Sequence, residues 1–409
     1  MRGMTNTLTI GERVAWYRHR RGLSQDVLAG LIGRTEDWLS KIENNRIQLD
    51  RLSVIKALAD ALDVSLGDLL AEPSLMEWTP DSGPRTVSGL RAALLDYRQI
   101  TPIGHNDGDD SAAPTIAELD TYVSTHWTAF QASRFGYVTS QLPRLLGNAQ
   151  AAVATYQREE LQQARRLLAL TYQLAAVQLT KVGEIELAWI AADRGLVAAR
   201  DTEDPVVIGS LHRSVTHALL AAGRFPEAVR LTEDAAGYLD PFLGAATPEL
   251  LSIHGTLFLA GSMAASRASD APTTRAFLTH AHESARRLGR DANHLWTAFG
   301  PTNVAIHRVA TAAELGDLQV AVDLGPRIDT TGMPMERRVR HALEVARAYS
   351  SWNRTDDAQA TLLDAEQMAP EQVRYHYLSR QLVLSWVRRN RGKPSPTLVG
   401  LARRLNVLD

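Results

Sequence analysis

Two adjacent carboxylates, Glu36 and Asp37, lie at the start of a short predicted helix and suit two kinds of chemistry. A carboxylate can accept a hydrogen bond from N4 of cytosine, so either residue could read a base in DNA, although it would also repel nearby phosphate. Alternatively, both side chains complement the positive end of their own helix. We favour helix stabilisation for Asp37 and leave both roles open for Glu36.

A helix-turn-helix pattern surrounds these carboxylates, from Ser24 to Glu43. Apolar residues recur at helical spacing in two short runs, which predicts two amphipathic helices separated by three residues. The apolar residues predicted to face the core are Val27, Leu28, Leu31, Trp38, Leu39 and Ile42. Ser24 and Thr35 lie where an N-cap belongs, with a side-chain oxygen for an otherwise unpaired backbone N–H. This combination is typical of a helix-turn-helix.

Small residues shape the bend between the two helices. Gly33 supplies the tight turn, and Ala29 lets the second helix approach the first. The neighbouring helices are predicted from Gly11 to His19, after Asp50 and after Ser65. In the first of these, Val14 and Trp16 are expected in the core.

This region resembles the DNA-binding domain of the Xre family, the lambda-repressor-like five-helix regulators. The resemblance runs from about Ile10 to Leu70 and rests on GERVAWYRHRRGLSQDVLAGLIGRTEDWLSKIENNR followed by RLSVIKALADALDVSLGDLL. Its most specific parts are the Gly22-Leu23-Ser24-Gln25 entry, the Ser40-Lys41-Ile42-Glu43 helix end and the closing Val64-Ser65-Leu66-Gly67-Asp68-Leu69-Leu70. It implies a five-helix fold that binds double-stranded DNA.

The resemblance also implies which residues contact an operator. In such domains the first turn of the third helix enters the major groove, and here that turn includes the two carboxylates. Gln25 matches the glutamine that holds the DNA backbone in this family, and Asn44 and Arg46 would approach phosphates beyond the helix. The DNA-binding residues implied are Ser24, Gln25, Thr35, Glu36, Asp37, Ser40, Lys41, Asn44 and Arg46.

The charge of the chain predicts that a single copy would bind DNA weakly. Its formal net charge is −2, and residues 1–72 contain ten basic and ten acidic side chains. The bases all precede Leu58, so residues 1–57 carry a net charge of +4 and allow a one-sided basic face. Because counterion release supplies most non-specific affinity, we expect a homodimer with two half-sites to compensate.

Bulk composition excludes several classes of protein. The 409 residues include no cysteine, so a disulfide framework or a thiolate metal site is impossible. No long apolar run or signal-peptide core occurs, which predicts a cytoplasmic protein with no membrane partner. No nucleophile elbow, zinc-protease helix or phosphate-binding loop occurs, and we expect neither an enzyme nor a cofactor.

The sequence predicts three segments. Residues 1–72 form the DNA-binding domain, residues 73–86 a linker rich in proline, and residues 87–409 an α-helical region. Trp78 is expected to dock the linker onto the next domain. A polar loop is predicted from Gly104 to Pro114, followed by a capping box at Thr115 and Glu118.

An internal period marks the helical region. Five predicted turns align at Gly183, Gly223, Ala271, Gly316 and Asn353. The residue five positions later is always alanine, namely Ala188, Ala228, Ala276, Ala321 and Ala358. A small residue soon after a turn lets two antiparallel helices close together, which predicts a tetratricopeptide-like α-solenoid.

A DNA-binding head on such a solenoid is similar to regulators of actinobacteria and to peptide-sensing regulators of Gram-positive bacteria. That resemblance implies an all-α regulator whose head binds an operator and whose solenoid dimerises and binds a small-molecule or peptide effector. The alternative is a protein-interaction adaptor whose solenoid binds a protein partner and whose head has little sequence-specific DNA binding. The neutral head and the acids in its recognition helix support this alternative.

One candidate effector site lies between Asp291 and Val309. Pro301 is expected to begin a helix, whose first turn exposes backbone N–H groups. Polar side chains there would converge with an aromatic ring, and the candidate ligand-binding residues are Trp296, Thr302, Asn303 and His307. We weigh the alternative, a capped helix with an interior histidine, above a pocket.

Two basic clusters and one histidine pair remain. The clusters are Arg337, Arg338 and Arg340, and Arg388, Arg389, Arg391 and Lys393. Both are expected to be solvated faces, although the second could contact DNA or a partner. His280 and His282 point to different sides of a helix and make a poor metal pair.

Overall fold

The computed structural model describes residues 8–70, 85–96, 113–389 and 393–408. Regular structure in these residues consists of 21 α-helices and short 3-10 segments, with an isolated antiparallel bridge between Ala292 and Phe299. The predicted all-α fold class is confirmed. Trp78 and most of the predicted linker and polar loop lie outside the described residues.

The N-terminal head, residues 8–70, contains five helices. They are α1 (Ile10–Arg20), α2 (Gln25–Leu31), α3 (Glu36–Glu43), α4 (Leu52–Ala61) and α5 (Leu66–Leu70). Both predicted N-caps are confirmed. The Ser24 hydroxyl accepts a hydrogen bond from the Val27 N–H at 3.2 Å, and the Thr35 hydroxyl accepts one from the Trp38 N–H at 3.2 Å.

The core of the head is formed where these short helices cross. Its fully buried side chains include Val14, Leu28, Ala29, Leu39 and Ile55. Gly11 lies at the crossing of α1 and α3, where a Cβ atom would be 2.1 Å from the Ile42 carbonyl oxygen. Only glycine allows α1 and α3 to approach this closely.

The predicted apolar face of α2 is partly wrong. Val27 is 48% exposed and Leu31 is 63% exposed. The helix has only seven residues and turns Leu28 and Ala29 towards the core. Residues one turn apart on the other side of so short a helix therefore stay in water.

The two tryptophans of the head were predicted in the core, and neither is fully buried. Trp16 is 42% exposed, with its edge towards Tyr17 at 4.7 Å and the Arg20 guanidinium 5.3 Å from its ring centre. Trp38 is half-buried against the core, with the Arg34 guanidinium 5.5 Å from its ring centre. Because each ring has a cation beside it, it gains contacts without complete burial.

Sixteen further helices follow in the described part of the chain. The first eight are α6 (Arg85–Leu94), α7 (Ile116–Gln131), α8 (Phe135–Thr155), α9 (Arg158–Lys181), α10 (Ile185–Arg200), α11 (Pro205–Ala221), α12 (Phe225–Leu239) and α13 (Pro248–Arg267). The others are α14 (Ala271–Leu288), α15 (Pro301–Leu315), α16 (Leu318–Leu324), α17 (Met335–Ser351), α18 (Thr355–Met368), α19 (Pro370–Tyr375), α20 (Tyr377–Arg389) and α21 (Pro396–Arg404). The predicted capping box of Thr115 and Glu118 begins α7.

The chain forms two compact units. Unit 1 consists of Met1–Pro73, Ser262–Leu278 and Thr302–Asp409, and unit 2 consists of Ser74–Gly261 and Thr279–Pro301. The head therefore shares a unit with the C-terminal helices. The predicted division by function, at residues 72 and 87, stays a prediction.

The predicted helical repeat has its basis in a recurring turn. A residue with left-handed φ ends one helix, and the next residue donates its N–H to a carbonyl five positions earlier, which satisfies an otherwise free helix end. This turn occurs at Gly183, Gly223, Ser269, Gly316 and Asn353. The alanines five positions after four of these turns are fully buried, namely Ala188, Ala228, Ala321 and Ala358. Consecutive helices thus pair as a tetratricopeptide-like repeat requires.

The predicted position of the third turn is wrong by two residues. Ser269 has the left-handed φ of 60°, two residues before the predicted Ala271. The buried residue five positions later is therefore Thr274, and Ala276 is exposed. Ser133 forms the same turn, at φ 61°, and is followed five positions later by buried Val138. A small side chain after the turn is common here but is not required.

Candidate nucleic-acid interface

One side of α3 presents polar side chains to solvent, beginning at its first turn. Thr35, Glu36 and Asp37 are exposed, and Ser40 and Lys41 are half-buried. The opposite side of the helix carries buried apolar residues, so its orientation is fixed by the core. The predicted base-reading residues therefore share one accessible surface.

An ion pair lies on this surface. Lys41 Nζ is 2.6 Å from Asp37 Oδ2, one helical turn away. The two side chains are 42% and 73% exposed, so water screens their attraction and the pair contributes little to stability. Lys41 can exchange the carboxylate for a DNA acceptor at small cost.

A buried ion pair fixes the entry to α2. Arg18 donates two hydrogen bonds to the Glu43 carboxylate, of 2.6 and 2.8 Å, and this interaction raises the pKa of Arg18. Gln25 Nε2 donates to the same carboxylate at 2.6 Å. An amide nitrogen carries two hydrogens, so Gln25 can keep this bond and donate the second to a phosphate oxygen. Ser24, beside it, is engaged as the N-cap.

The loop after α3 brings the remaining predicted contacts together. Asn44 is exposed and donates from its amide to the Ser40 carbonyl at 2.8 Å, and Arg46 is exposed. Between them, Asn45 has a left-handed φ of 57° and donates to Glu12 at 3.2 Å. The backbone turn thus leaves Asn44 and Arg46 at the surface while Asn45 ties the loop to α1.

Contacts that sequence reasoning missed fix this loop from the C-terminal part of unit 1. Arg347 donates to the Asp50 carbonyl at 3.2 Å, and Ser350 donates to Gln48 at 3.0 Å. Arg347 and Asp50 are 297 residues apart in the chain. No local pattern could reveal such a pairing.

Arg347 belongs to a buried charge network that the sequence also did not reveal. It lies 2.9 Å from Glu344 and 3.8 Å from Glu314. Arg340 is 3.0 Å from Glu344, and Arg267 is 3.6 Å from Glu314. Burial alone would raise the pKa of Glu344, but the guanidinium groups of Arg347 and Arg340 hold it below its usual value. The predicted solvated face at Arg340 is therefore wrong, since this guanidinium is mostly buried and paired.

The predicted effector-site residues are distributed over both units. Trp296 belongs to unit 2, whereas Thr302, Asn303 and His307 belong to unit 1. His307 is buried, and its Nδ1 lies 2.9 Å from the Asn303 carbonyl oxygen. Burial and the charge of Arg337 lower the pKa of His307 to about 3, so its imidazole is neutral. An interior histidine on a helix that begins at Pro301 fits the alternative interpretation, and the effector site stays a prediction.

The segment before this helix is strained, which the sequence did not predict. Three residues other than glycine have left-handed φ angles, namely Leu295, Trp296 and Ala298. Gln131 exchanges two side-chain hydrogen bonds with Asn293, of 3.0 and 2.8 Å, and donates to the Trp296 carbonyl at 3.0 Å. The Trp296 ring stacks on Trp127 with centres 5.0 Å apart. Such strain persists only where surrounding contacts over-determine it.

The described residues contain neither a membrane-spanning helix nor a cluster of metal ligands. No helix among them is both long enough and apolar enough to span a membrane. No group of three or more histidine, aspartate or glutamate side chains among them is placed to hold a metal ion.

Comparison with known proteins identifies the head. Residues 9–72 match the family model described as "Helix-turn-helix domain". The search of curated proteins gives no match. Residues 9–72 are therefore a helix-turn-helix domain, as the sequence predicted.

Solved structures of two other proteins resemble the chain distantly. The crystal structure of BtubC (BKLC) from P. vanneervenii is 14% identical, with a TM-score of 0.38, over 61% of this chain and 90% of that chain. The crystal structure of Bacillus thuringiensis PlcR in complex with the peptide PapR7 and DNA is 12% identical, with a TM-score of 0.38, over 86% and 98%. Both likenesses are too distant to assign a function.

Proposed function

We propose that the chain is a sequence-specific DNA-binding transcriptional regulator. The observation that carries the proposal is the accessible first turn of α3 on a helix-turn-helix domain. Glu36 and Asp37 lie there, and Lys41 lies one turn later on the same surface, at the positions that reach base edges in such domains. Gln25, Asn44 and Arg46 flank this turn as phosphate contacts, which set orientation and affinity.

We further propose that the regulator is a homodimer in the cytoplasm. The head has no excess of positive charge, so one copy would neutralise few phosphates and bind weakly. Two copies related by a twofold axis would bind half-sites about 34–36 Å apart, or a multiple of that distance. An inverted repeat in the operator would reflect this symmetry.

The helical repeats are the proposed sensor for a small-molecule or peptide effector. The candidate contacts are Trp296, Thr302, Asn303 and His307. An effector would change operator affinity only if it binds one arrangement of the protein better than another.

A second candidate function is a protein-interaction adaptor with little sequence preference for DNA. The ion pair between Asp37 and Lys41 favours it, because this pair neutralises a cation on the surface that should meet DNA. In this case the helical repeats would bind a protein partner.

Selection from a random duplex library distinguishes the two candidates. The purified full-length chain is incubated with the library at a stated near-physiological salt concentration, and the bound sequences are determined. Enrichment of a common site, above all an inverted repeat, supports the regulator. Binding without enrichment, together with a steep loss of affinity on adding salt, supports the adaptor.

Point variants then test the assigned contacts. Gln25→Ala and Lys41→Ala should each weaken operator binding roughly tenfold, as loss of a phosphate or base contact does. Lys56→Ala is the matched control, because Lys56 also pairs with an aspartate four residues away but lies on α4. All three variants should remain folded in thermal unfolding, with a modest loss of stability only in Gln25→Ala, which removes the hydrogen bond to Glu43. Unchanged affinity of the first two would contradict the contact assignment.

A further inference from the structure

Helix α20 lies along the head within unit 1. Tyr377, at its start, packs against the core of the head. One turn later, Gln381 accepts a hydrogen bond from the Ile10 N–H at 2.9 Å. Near its end, Arg388 is 3.3 Å from Glu12. Contacts along most of its length therefore hold the end of α20 in a defined place beside α1.

The last residue of α20, Arg389, contacts the loop that follows α3. Arg389 donates from Nε to the Asn45 carbonyl at 3.2 Å. Asn45 is flanked by Asn44 and Arg46, the two predicted phosphate contacts of this loop. A guanidinium has five N–H groups in a planar fork, and this bond uses one of them. The side chain is thus anchored next to the predicted path of the DNA backbone and exposed to solvent.

The charges around Arg389 favour an anion. Part of the Arg389 side chain is covered by the protein, and this partial burial lowers the pKa of Arg389, which the negative charge of Asp50 offsets only in part. The nearby acids are already engaged, since Arg388 lies beside Glu12 and Ser351 donates to the Asp50 carboxylate. A phosphate would supply the missing negative charge and accept two parallel hydrogen bonds from one guanidinium.

We propose that Arg389 binds a backbone phosphate of the operator, beside the phosphates that Asn44 and Arg46 contact. The DNA-binding surface is then composed of the head, which ends at Leu70, and of the end of α20 at Arg389, far later in the sequence. This inference rests on the proposed DNA-binding function. It explains how a neutral head gains a cation at its phosphate-contacting edge, and it ties DNA affinity to the C-terminal helices.

The test is the salt dependence of DNA binding by full-length protein. Dissociation constants are measured at several salt concentrations for the selected operator and for a random-sequence duplex. The variants are Arg389→Gln, Arg389→Lys and the control Arg327→Gln. Arg327 is an exposed arginine of the same unit, in the short turn Gly325–Arg327. Gln25→Ala and Lys41→Ala are measured in parallel.

Loss of one phosphate contact should lower the slope of log affinity against log salt by about 0.9. Arg389→Gln should show that change and bind both duplexes about three- to tenfold more weakly near physiological salt, because a phosphate contact is independent of sequence. Arg389→Lys should retain most of the slope, since the charge remains, and Arg327→Gln should match the wild type.

Three results would overturn the inference, and they are distinguishable. An unchanged slope for Arg389→Gln, with weaker binding in the Gln25 and Lys41 variants, would leave the proposed function intact and reduce Arg389 to a structural contact. Equally weaker binding by Arg389→Lys and Arg389→Gln, at an unchanged slope, would also overturn the inference. It would indicate that Arg389 only positions the loop, through its hydrogen bond to the Asn45 carbonyl. No binding of DNA by the wild type would overturn the proposed function and the inference together.

Discussion

Unit 1 contains two ion pairs of similar length in opposite surroundings. Arg347 and Glu344 lie 2.9 Å apart and are almost completely buried. Lys41 and Asp37 lie 2.6 Å apart and are largely exposed. A buried pair is held because separation would leave a charge in a medium of low dielectric constant. An exposed pair can exchange its partner for water, a base or a phosphate. Surroundings, rather than distance, separate the charges that support the head from those that can bind a ligand.

Removing Arg347 should have the largest effect on stability. Arg347→Ala leaves Glu344 and Glu314 without their shared cation and removes the hydrogen bond to the Asp50 carbonyl. Breaking a buried pair in this way costs about 3–5 kcal/mol. We expect the free energy of unfolding to fall by that amount in a denaturant titration followed by circular dichroism.

Arg354→Ala is the matched control for this prediction. Arg354 is an arginine of the same unit that pairs with Asp357 at 2.8 Å, but its side chain is 45% exposed. Its removal should leave the unfolding midpoint nearly unchanged. Equal destabilisation by the two variants would mean that burial does not distinguish the two kinds of pair.

Acid should reveal a second consequence of burial, which concerns a buried histidine in each unit. Burial lowers the pKa of His254 in unit 2 to about 4, and burial lowers that of His307 in unit 1 to about 3. The unfolded chain has histidines with a pKa of about 6.5. Below pH 6.5 the unfolded state therefore takes up protons that the folded state does not, so stability falls as the pH decreases towards 4.

Each buried histidine should contribute a slope of up to about 1.4 kcal/mol per pH unit in this window. His254→Gln and His307→Gln should each reduce the measured slope of unfolding free energy against pH between 6.5 and 4. His282→Gln, on the exposed side of α14, is the control. Burial also lowers the pKa of His212 and His341, so part of the slope should remain in the double variant. An undiminished slope would assign the acid sensitivity entirely to other groups.

Local chemistry explains what the sequence could predict. The caps at Ser24 and Thr35 depend on a hydroxyl and an N–H only three residues apart, so the residue types are sufficient. Left-handed turns at Gly183 and Gly223 were found for the same reason, because glycine marks them. The turn at Ser269 was misplaced, since serine gives no such signal.

The errors and omissions depend on contacts between distant residues. Helical spacing placed Trp16 and Val27 in the core, but whether a side chain is covered depends on which helices pack against it. The pairing of Arg347 with Asp50, and of Arg389 with Asn45, joins parts of the chain that no spacing rule connects. The candidate DNA-binding residues were predictable because they lie in one local motif, whereas their support from the C-terminal helices was not.

The smallest change in stability, and the sharpest test of the exposed pair, should come from Asp37→Asn. Loss of this exposed pair should alter the free energy of unfolding by less than about 1 kcal/mol. Random-sequence DNA should nevertheless bind several-fold more tightly, because the variant removes a charge that repels phosphate and releases Lys41. Both quantities are measured on the same preparation, by denaturant unfolding and by duplex titration.

The selected consensus then separates the two roles open to the carboxylates. If Asp37 only neutralises Lys41 and stabilises α3, Asp37→Asn leaves the consensus unchanged while affinity rises. If Asp37 accepts a hydrogen bond from cytosine, the variant loses its preference at one base pair, which is worth about 1–3 kcal/mol. Glu36→Gln, one residue earlier in the same turn, is the matched comparison. A consensus altered by Glu36→Gln but not by Asp37→Asn would show that Glu36 reads DNA while Asp37 stabilises the helix. The ion pair that Asp37 forms with Lys41, one turn later, would account for this difference.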